Sequence, residues 1–509
     1  MQDEKNEQPR LEKEISEEKN GPLFEPESGK TMAMPELEAP VPEEAVTFGQ
    51  AVAKGFRETF DTFRAFVHSP KEIIGINLIN IFEGMAYFGT LTYLVLYMNE
   101  NVGLEDKYAS YVVTAFMMIV TISQLLFGGV TDKLGAKKAM GIALAVLLAG
   151  RVVIGFAEPV LGESAGTGLT SPLFVTVACA LLFVALAYGL YQPSIYTATR
   201  QFSDKKASAV AYAMLYAGMN LGAFIIGLML PPIRKVSALY MGNNGYSGSL
   251  IYIAGIMVFA FICYIFLIYR SKSKPHEALE THEDEQKAHS GKSLIQRIKE
   301  HPLADLEFDF FIFILIPVQT LFAYQNILVP AYLERCYTNY PTISDNFETF
   351  SNLNPLIVFI AAPVIAAMTA RSNVYKMMII GTAVMAVPTF LLCLGQHPAT
   401  FLSFVLLMSI GESMWQPRFL QHVAEIAPKE HVGAYIGIAQ LPWFLTKFIV
   451  GLYAGHFMQI FMPAKGIQHP ETMWFIFACI ALVSPVALFL ARHWMNPSQK
   501  KAEGESARS

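Results

Sequence analysis

The chain has 509 residues, 53% hydrophobic and 16% charged, with a formal net charge of −5. A soluble domain carries about 25% charged residues, so this balance excludes a soluble globular protein and points to a chain embedded in a bilayer. The charges lie in tails and loops and name no partner, and the five cysteines show neither a disulfide framework nor metal-ligand spacing.

Residues 1–46 form a charged, polar, acidic tail in which no structure and no cleavable signal peptide are expected. The stretch 47–68, TFGQAVAKGFRETFDTFRAFVH, puts Phe48, Val52, Phe56, Phe60, Phe63 and Val67 on one helical stripe. With Lys54, Arg57 and Arg64 elsewhere around it, an interfacial helix lying on the membrane surface is expected. Six runs long and apolar enough to cross a bilayer follow within 69–269, at about 72–98, 108–130, 138–157, 173–198, 208–231 and 249–269. The polar stretch 270–305 reads as a linker between bundles. Six more runs fill 306–495, at about 308–333, 350–370, 375–395, 399–424, 432–461 and 472–493, before a polar tail at 496–509. Under a twelve-span count, Lys133, Lys137, Lys138, Arg200, Lys205, Lys206, Arg270, Arg371 and Lys376 fall on one side, with Arg234 and Lys235 against the trend. The positive-inside rule makes that side, and both termini, cytoplasmic. A multi-pass plasma-membrane protein is expected, in the inner membrane of a bacterial host.

The two sets of six spans share a register. Aligning Tyr191-Gln192-Pro193 with Trp415-Gln416-Pro417 brings Lys205 onto Lys429 and Gly227 onto Gly451 at the same offset. Duplicated six-span halves are the pattern of a secondary transporter, whose site lies between the repeats. A single chain then supplies both walls, and a monomer is expected.

Charges inside the spans are the next signal. Glu83 sits near the middle of the first run, in NIFEGMAYFG, where an ionisable group costs about 3 kcal/mol on insertion scales and marks a functional position. Glu412 lies within the tenth run, one turn from Trp415. Arg151, Arg418 and Lys447 also fall in spans; each is a candidate anion contact, and each could equally snorkel or pair structurally. No His/Asp cluster, nucleophile constellation, Walker A loop or coenzyme motif accompanies them, so neither an enzyme, a metal nor a cofactor is expected.

The loop GGVTDKLGAKK, 128–138, resembles the signature loop of the major facilitator superfamily. The resemblance implies an all-α membrane protein with twelve transmembrane helices in two six-helix halves. Gly128 and Gly129 would allow close helix approach, Gly135 a tight turn, and Asp132 with Lys133 a gating latch. Further segments resemble the proton-coupled oligopeptide transporters: NIFEGMAYFG in the first span, MLYAGMNLGAFIIG in the fifth, NLNPLIVFIAAPVIAA in the eighth, GESMWQP in the tenth and PWFL in the eleventh. The departures are Asn80 and Gly84 in the opening motif and Gln192 where that family has a lysine before proline. The resemblance implies substrate contacts at Tyr87, Gln192, Asn220, Tyr324, Asn354, Glu412, Trp415 and Trp443, with Glu83 and Glu412 coupling to protons. It implies import of peptides or peptide-like, amine-bearing solutes, with protons, a small-molecule substrate and the bilayer as partners and no nucleic acid. Because Gly84 and Gln192 cannot grip a carboxylate ionically, a substrate with an amine and no obligatory carboxylate is expected. A proton-antiporting exporter of drugs or cationic metabolites is the alternative.

Overall fold

The computed structural model describes residues 69–203, 208–271, 302–369, 372–427 and 438–495, with positions 49, 50, 53, 57, 64 and 435 besides. Most of the expected interfacial helix, most of the linker and both tails therefore lie outside the described residues.

Apolar runs of the right length become helices because a bilayer offers the backbone no other hydrogen-bond partners. Eleven helical segments are long and apolar enough to cross, beginning with Lys71–Glu100 and ending with Pro470–Leu490. The helix Asp106–Leu134 adds the twelfth: its 29 residues reach about 43 Å at 1.5 Å per residue. Their ends follow local chemistry. Ser171 caps the fourth span (Pro172–Phe202) by accepting from Phe174 N at 3.1 Å. Asn373 caps the ninth (Val374–Leu394) by accepting from Lys376 N at 2.9 Å. The second and third spans turn at Gly135, whose φ of +78° a side chain would oppose. The seventh span (Leu306–Ile327) is broken near Pro317 and followed by a short helix, Val329–Cys336, begun around Pro330.

Within the first half, the first span packs on the fifth (Ser208–Met241) and on the sixth, which starts at Tyr246, while the fourth packs on the second and third. In the second half, the tenth span (Pro398–Ile426) packs on the eighth and ninth, and the seventh on the eleventh (Leu441–Phe461) and twelfth. The most extensive contacts between the halves among the described residues are the second span against the eleventh and the fifth against the eighth (Phe347–Ala366), with a smaller one between the first and the seventh. The glycines paired by the sequence repeat sit at the two larger contacts. A Cβ on Gly227 would stand 2.7 Å from Asn352 Cβ across the fifth–eighth contact. A Cβ on Gly451 would run into the Thr114 side chain across the eleventh–second contact. Repetition thus places one small residue at each pseudo-equivalent seam.

Near the 128–138 loop the outcome is mixed. A Cβ on Gly129 would meet nothing within 4 Å, so helix approach is not what that glycine provides. Lys133 is exposed, and the side-chain position of Asp132 lies outside the described residues, as does the surrounding of Gly128.

The halves are drawn together at the end away from the lysine-rich loops. There Arg335 pairs with Asp106 at 2.8 Å, and Arg234 pairs with Glu348, which also accepts from Tyr93 Oη at 2.9 Å. Tyr246 Oη donates to Glu334 at 2.7 Å. At the lysine-rich end, the hydrogen bond between halves among the described residues is a long one, Tyr216 Oη to Gln416 Oε1 at 3.5 Å.

Candidate functional site

Residues four apart stand one above the other on a helix, so each span can offer a pair of side chains to a common space. The first span offers Glu83 and Tyr87, the fourth Tyr188 and Gln192, the fifth Tyr216 and Asn220. The tenth offers Glu412 and Gln416, the eleventh Trp443 and Lys447. All ten line one cavity of about 620 Å³ between the halves, to which Asn354 of the eighth span and Gln319 of the seventh also contribute. Its size is ordinary for a small-molecule site.

On the first-half wall, charge is settled internally. Arg151 Nη2 lies 3.1 Å from Glu83 Oε1 and 2.7 Å from Tyr188 Oη, and Tyr188 itself donates to Glu83. Both members of the ion pair are only 3–4% exposed, and Arg151 does not line the cavity. Asn80 ties the first span to the fifth, donating to Leu215 O at 2.8 Å. A Cβ on Gly84 would stand 3.2 Å from Met219 O, so the fifth span occupies the space an arginine at 84 would need. The missing cation of the opening motif is thus supplied to Glu83 from the third span (Ala136–Leu161).

The second-half wall differs. Glu412 accepts from Asn354 Nδ2 at 2.8 Å, and Asn354 also reaches Ser409 Oγ at 3.0 Å. Glu412 forms no ion pair with a described residue. Lys447 is partly buried, faces the cavity, and makes neither an ion pair nor a hydrogen bond with any described residue. Next to it in sequence, Thr446 donates to Gln319 Oε1 at 3.3 Å, leaving Gln319 Nε2 buried without a partner. Trp443 lies against Phe322, their ring centroids 5.0 Å apart.

Two sequence expectations need correction in position, Tyr324 and Trp415, and two of the candidate cations, Arg418 and Arg151, take the structural alternative. Tyr324 is fully buried away from the cavity, bonded to Tyr453 and stacked on Phe477 at 4.1 Å. Its neighbours Ala323 and Gln325 line the cavity instead, because one residue turns a helix by about 100°. Trp415 is also buried behind the wall, stacked on Trp443 at 6.5 Å and donating to Met385 Sδ. Its place is to support Trp443 rather than touch a ligand. Arg418 donates to Thr369 O at 2.9 Å and to Gln421 at 2.7 Å, outside the cavity. Arg151 is spent on Glu83. Tyr188, Tyr216, Gln319 and Gln416 were not anticipated. Four-residue spacing from Gln192 and from Glu412 would have found Tyr188 and Gln416, and a glutamine within the apolar run ILIPVQTLFAY marks Gln319.

A family model for the Major Facilitator Superfamily matches residues 76–343 and 340–508. Among solved structures, a bacterial homologue of the human drug peptide transporters PepT1 and PepT2 aligns with a TM-score of 0.62 at 15% identity, covering 84% of this chain and 98% of that one. A POT family transporter in complex with 5-aminolevulinic acid aligns with a TM-score of 0.62 at 14% identity, covering 84% and 97%. The nucleoside transporter NupG aligns equally well, with a TM-score of 0.62 at 14% identity, covering 82% and 99%. At such identities these likenesses speak for the fold, which peptide and nucleoside transporters share. The match of the family model over nearly all twelve spans settles the wider assignment: the chain belongs to the major facilitator superfamily, a family of membrane transporters.

Proposed function

We propose that the protein is a proton-coupled symporter that imports peptides or peptide-like, amine-bearing small solutes by alternating access. The observation that carries this reading is the Glu412–Asn354 pair: a carboxylate held by one amide, open to a cavity whose opposite wall supplies Tyr87, Gln192 and Asn220. A carboxylate backed by a neutral amide, with no cation beside it, suits a protonated amine. The motif resemblance to proton-coupled oligopeptide transporters supports the same class, as do solved relatives described as peptide transporters and one described with 5-aminolevulinic acid. A dedicated exporter of cations is disfavoured by Lys447, a like charge on the cavity wall.

The lysine-rich loops make their end cytoplasmic under the positive-inside rule, so the ion pairs at the other end close the outside in this conformation. The proton site is assigned to Glu83. Protonation there would remove the charge that holds Arg151, freeing the third and fourth spans to shift against the first. Each proton moving inward gains about 2.3 kcal/mol per 100 mV of membrane potential. Because both walls come from one chain, a monomer would be the transporting unit.

Uptake into proteoliposomes under an imposed proton gradient tests the reading. Accumulation of a dipeptide above its external concentration is expected in the wild type. Glu83→Gln should lose accumulation yet keep counterflow exchange, which needs no net proton movement. Undiminished uphill uptake by Glu83→Gln would remove the proton site from Glu83. Gradient-driven extrusion without uptake would reverse the direction.

A further inference from the structure

We propose that Lys447, with Gln319 of the adjoining seventh span, forms an anion subsite that grips the carboxylate of a zwitterionic substrate whose amine lies at Glu412 and Asn354. This rests on the peptide-like reading above and changes what it predicts, because the sequence alone favoured a substrate with no obligatory carboxylate.

Three observations point to an anion. Lys447 carries an ammonium into the cavity without an ion pair or hydrogen bond to any described residue. A charge drawn partly out of water is costly until a partner meets it, and an anionic ligand in the cavity would meet this one. Gln319, fully buried in the adjoining wall, has an amide N–H₂ with no acceptor while its oxygen is engaged by Thr446. Ammonium and orphaned amide are both donors, and they lie on the seventh and eleventh spans, which pack together. Arg151 and Arg418 are already engaged, by Glu83 and by Thr369 and Gln421. Among these three, Lys447 is the one that lines the cavity and has no ion pair with a described residue.

The opposite pole stands in the same cavity. Glu412 and Lys447 both line it and form no ion pair with each other, so each charge is open to a ligand of opposite sign. A molecule with an ammonium and a carboxylate at its two ends satisfies both. Trp443 stands one turn from Lys447 and lines the same cavity, giving the body of the ligand an apolar wall. Short peptides and ω-amino acids have that form.

The test is binding to purified full-length protein with four probes: a dipeptide, its C-terminal amide, its N-acetyl derivative, and an ω-amino acid. In the wild type the amide should bind at least about 10-fold more weakly than the free dipeptide. Lys447→Gln should collapse that ratio to about 2-fold or less while preserving the penalty for acetylating the amine, and Lys447→Arg should restore it. Glu412→Gln should do the reverse, erasing the amine preference and keeping the carboxylate preference. The subsite is overturned if the amide binds the wild type as well as the free acid, or if Lys447→Gln leaves the ratio intact. If no probe binds the wild type, the peptide-like reading fails, and simple anions then judge the subsite alone. Acetate and glutarate should raise the unfolding midpoint of the wild type and not of Lys447→Gln, and equal responses in both would overturn it.

Discussion

The two halves hold the same kind of charges and treat them in opposite ways. In the first half, Glu83 and Arg151 meet at 3.1 Å with Tyr188 bridging them, almost wholly buried. In the second half, Glu412 and Lys447 share a cavity and stay apart, each facing the space a ligand would fill. A buried ion pair has its two charges matched to each other and is poorly placed to recognise a ligand, but its breaking can drive a movement. Two unsatisfied charges recognise a ligand at a cost to the empty protein. On the reading proposed above, proton coupling would fall to the first half and substrate polarity to the second.

Removing one cation from each half should have effects of opposite sign, and that is the strongest way to break the comparison. Arg151→Met strands Glu83 without its partner and should destabilise the protein by about 3–5 kcal/mol. Adding Glu83→Gln to it should recover most of the loss. Lys447→Met removes a charge that has no partner among the described residues, so the ligand-free protein should gain about 1–3 kcal/mol. Unfolding midpoints in detergent, measured without ligand, read both. If Lys447→Met destabilises as Arg151→Met does, Lys447 has a structural partner and the contrast between the halves disappears.

The seams sharpen the comparison in another way, because there the halves behave alike. Thr114 already fills the space beside Gly451, and Asn352 crowds Gly227. Gly451→Ala should strain the arrangement seen here by about 1–3 kcal/mol and favour a state open at the end away from the lysine-rich loops. Spin-label distances across the outer ends of the second and eleventh spans would lengthen on average. Thr114→Gly in the same chain should reverse the shift. A matching shift from Gly227→Ala would show that the repeat conserves the mechanics of the seam while the polar residues diverged.

Much of the fold was legible because span length and apolarity are summed over about 20 residues, so single substitutions do not blur them. The polar lining was legible where a motif fixed the helix face, as at Asn220, Asn354 and Glu412. What could not be read was rotation and partnership. Trp415 belongs to the same motif as Glu412 but lies three residues further along and points behind the wall. Arg151 finds Glu83 from 68 residues away, and no local pattern records that meeting. The separation of Lys447 from any partner among the described residues is likewise a property of the assembled bundle, invisible in TKFIV.

Tyr324 gives the smallest effect and the cleanest control. The resemblance put it in the pocket, whereas the helix turns it into the bundle against Tyr453 and Phe477. If the hydroxyl serves only packing within the second half, Tyr324→Phe removes one hydrogen bond and costs about 1 kcal/mol of stability. Ligand affinity should stay within about 2-fold, a difference of roughly 0.4 kcal/mol. A ligand-lining hydroxyl behaves in the opposite manner, lowering affinity with little change in stability. Measuring both quantities on the one variant separates the two positions, since a 100° rotation of the seventh span would exchange Tyr324 with its neighbours. Affinity lost at constant stability would mean that the seventh span turns when substrate binds, and Gln319 would then have to be sought on a different wall.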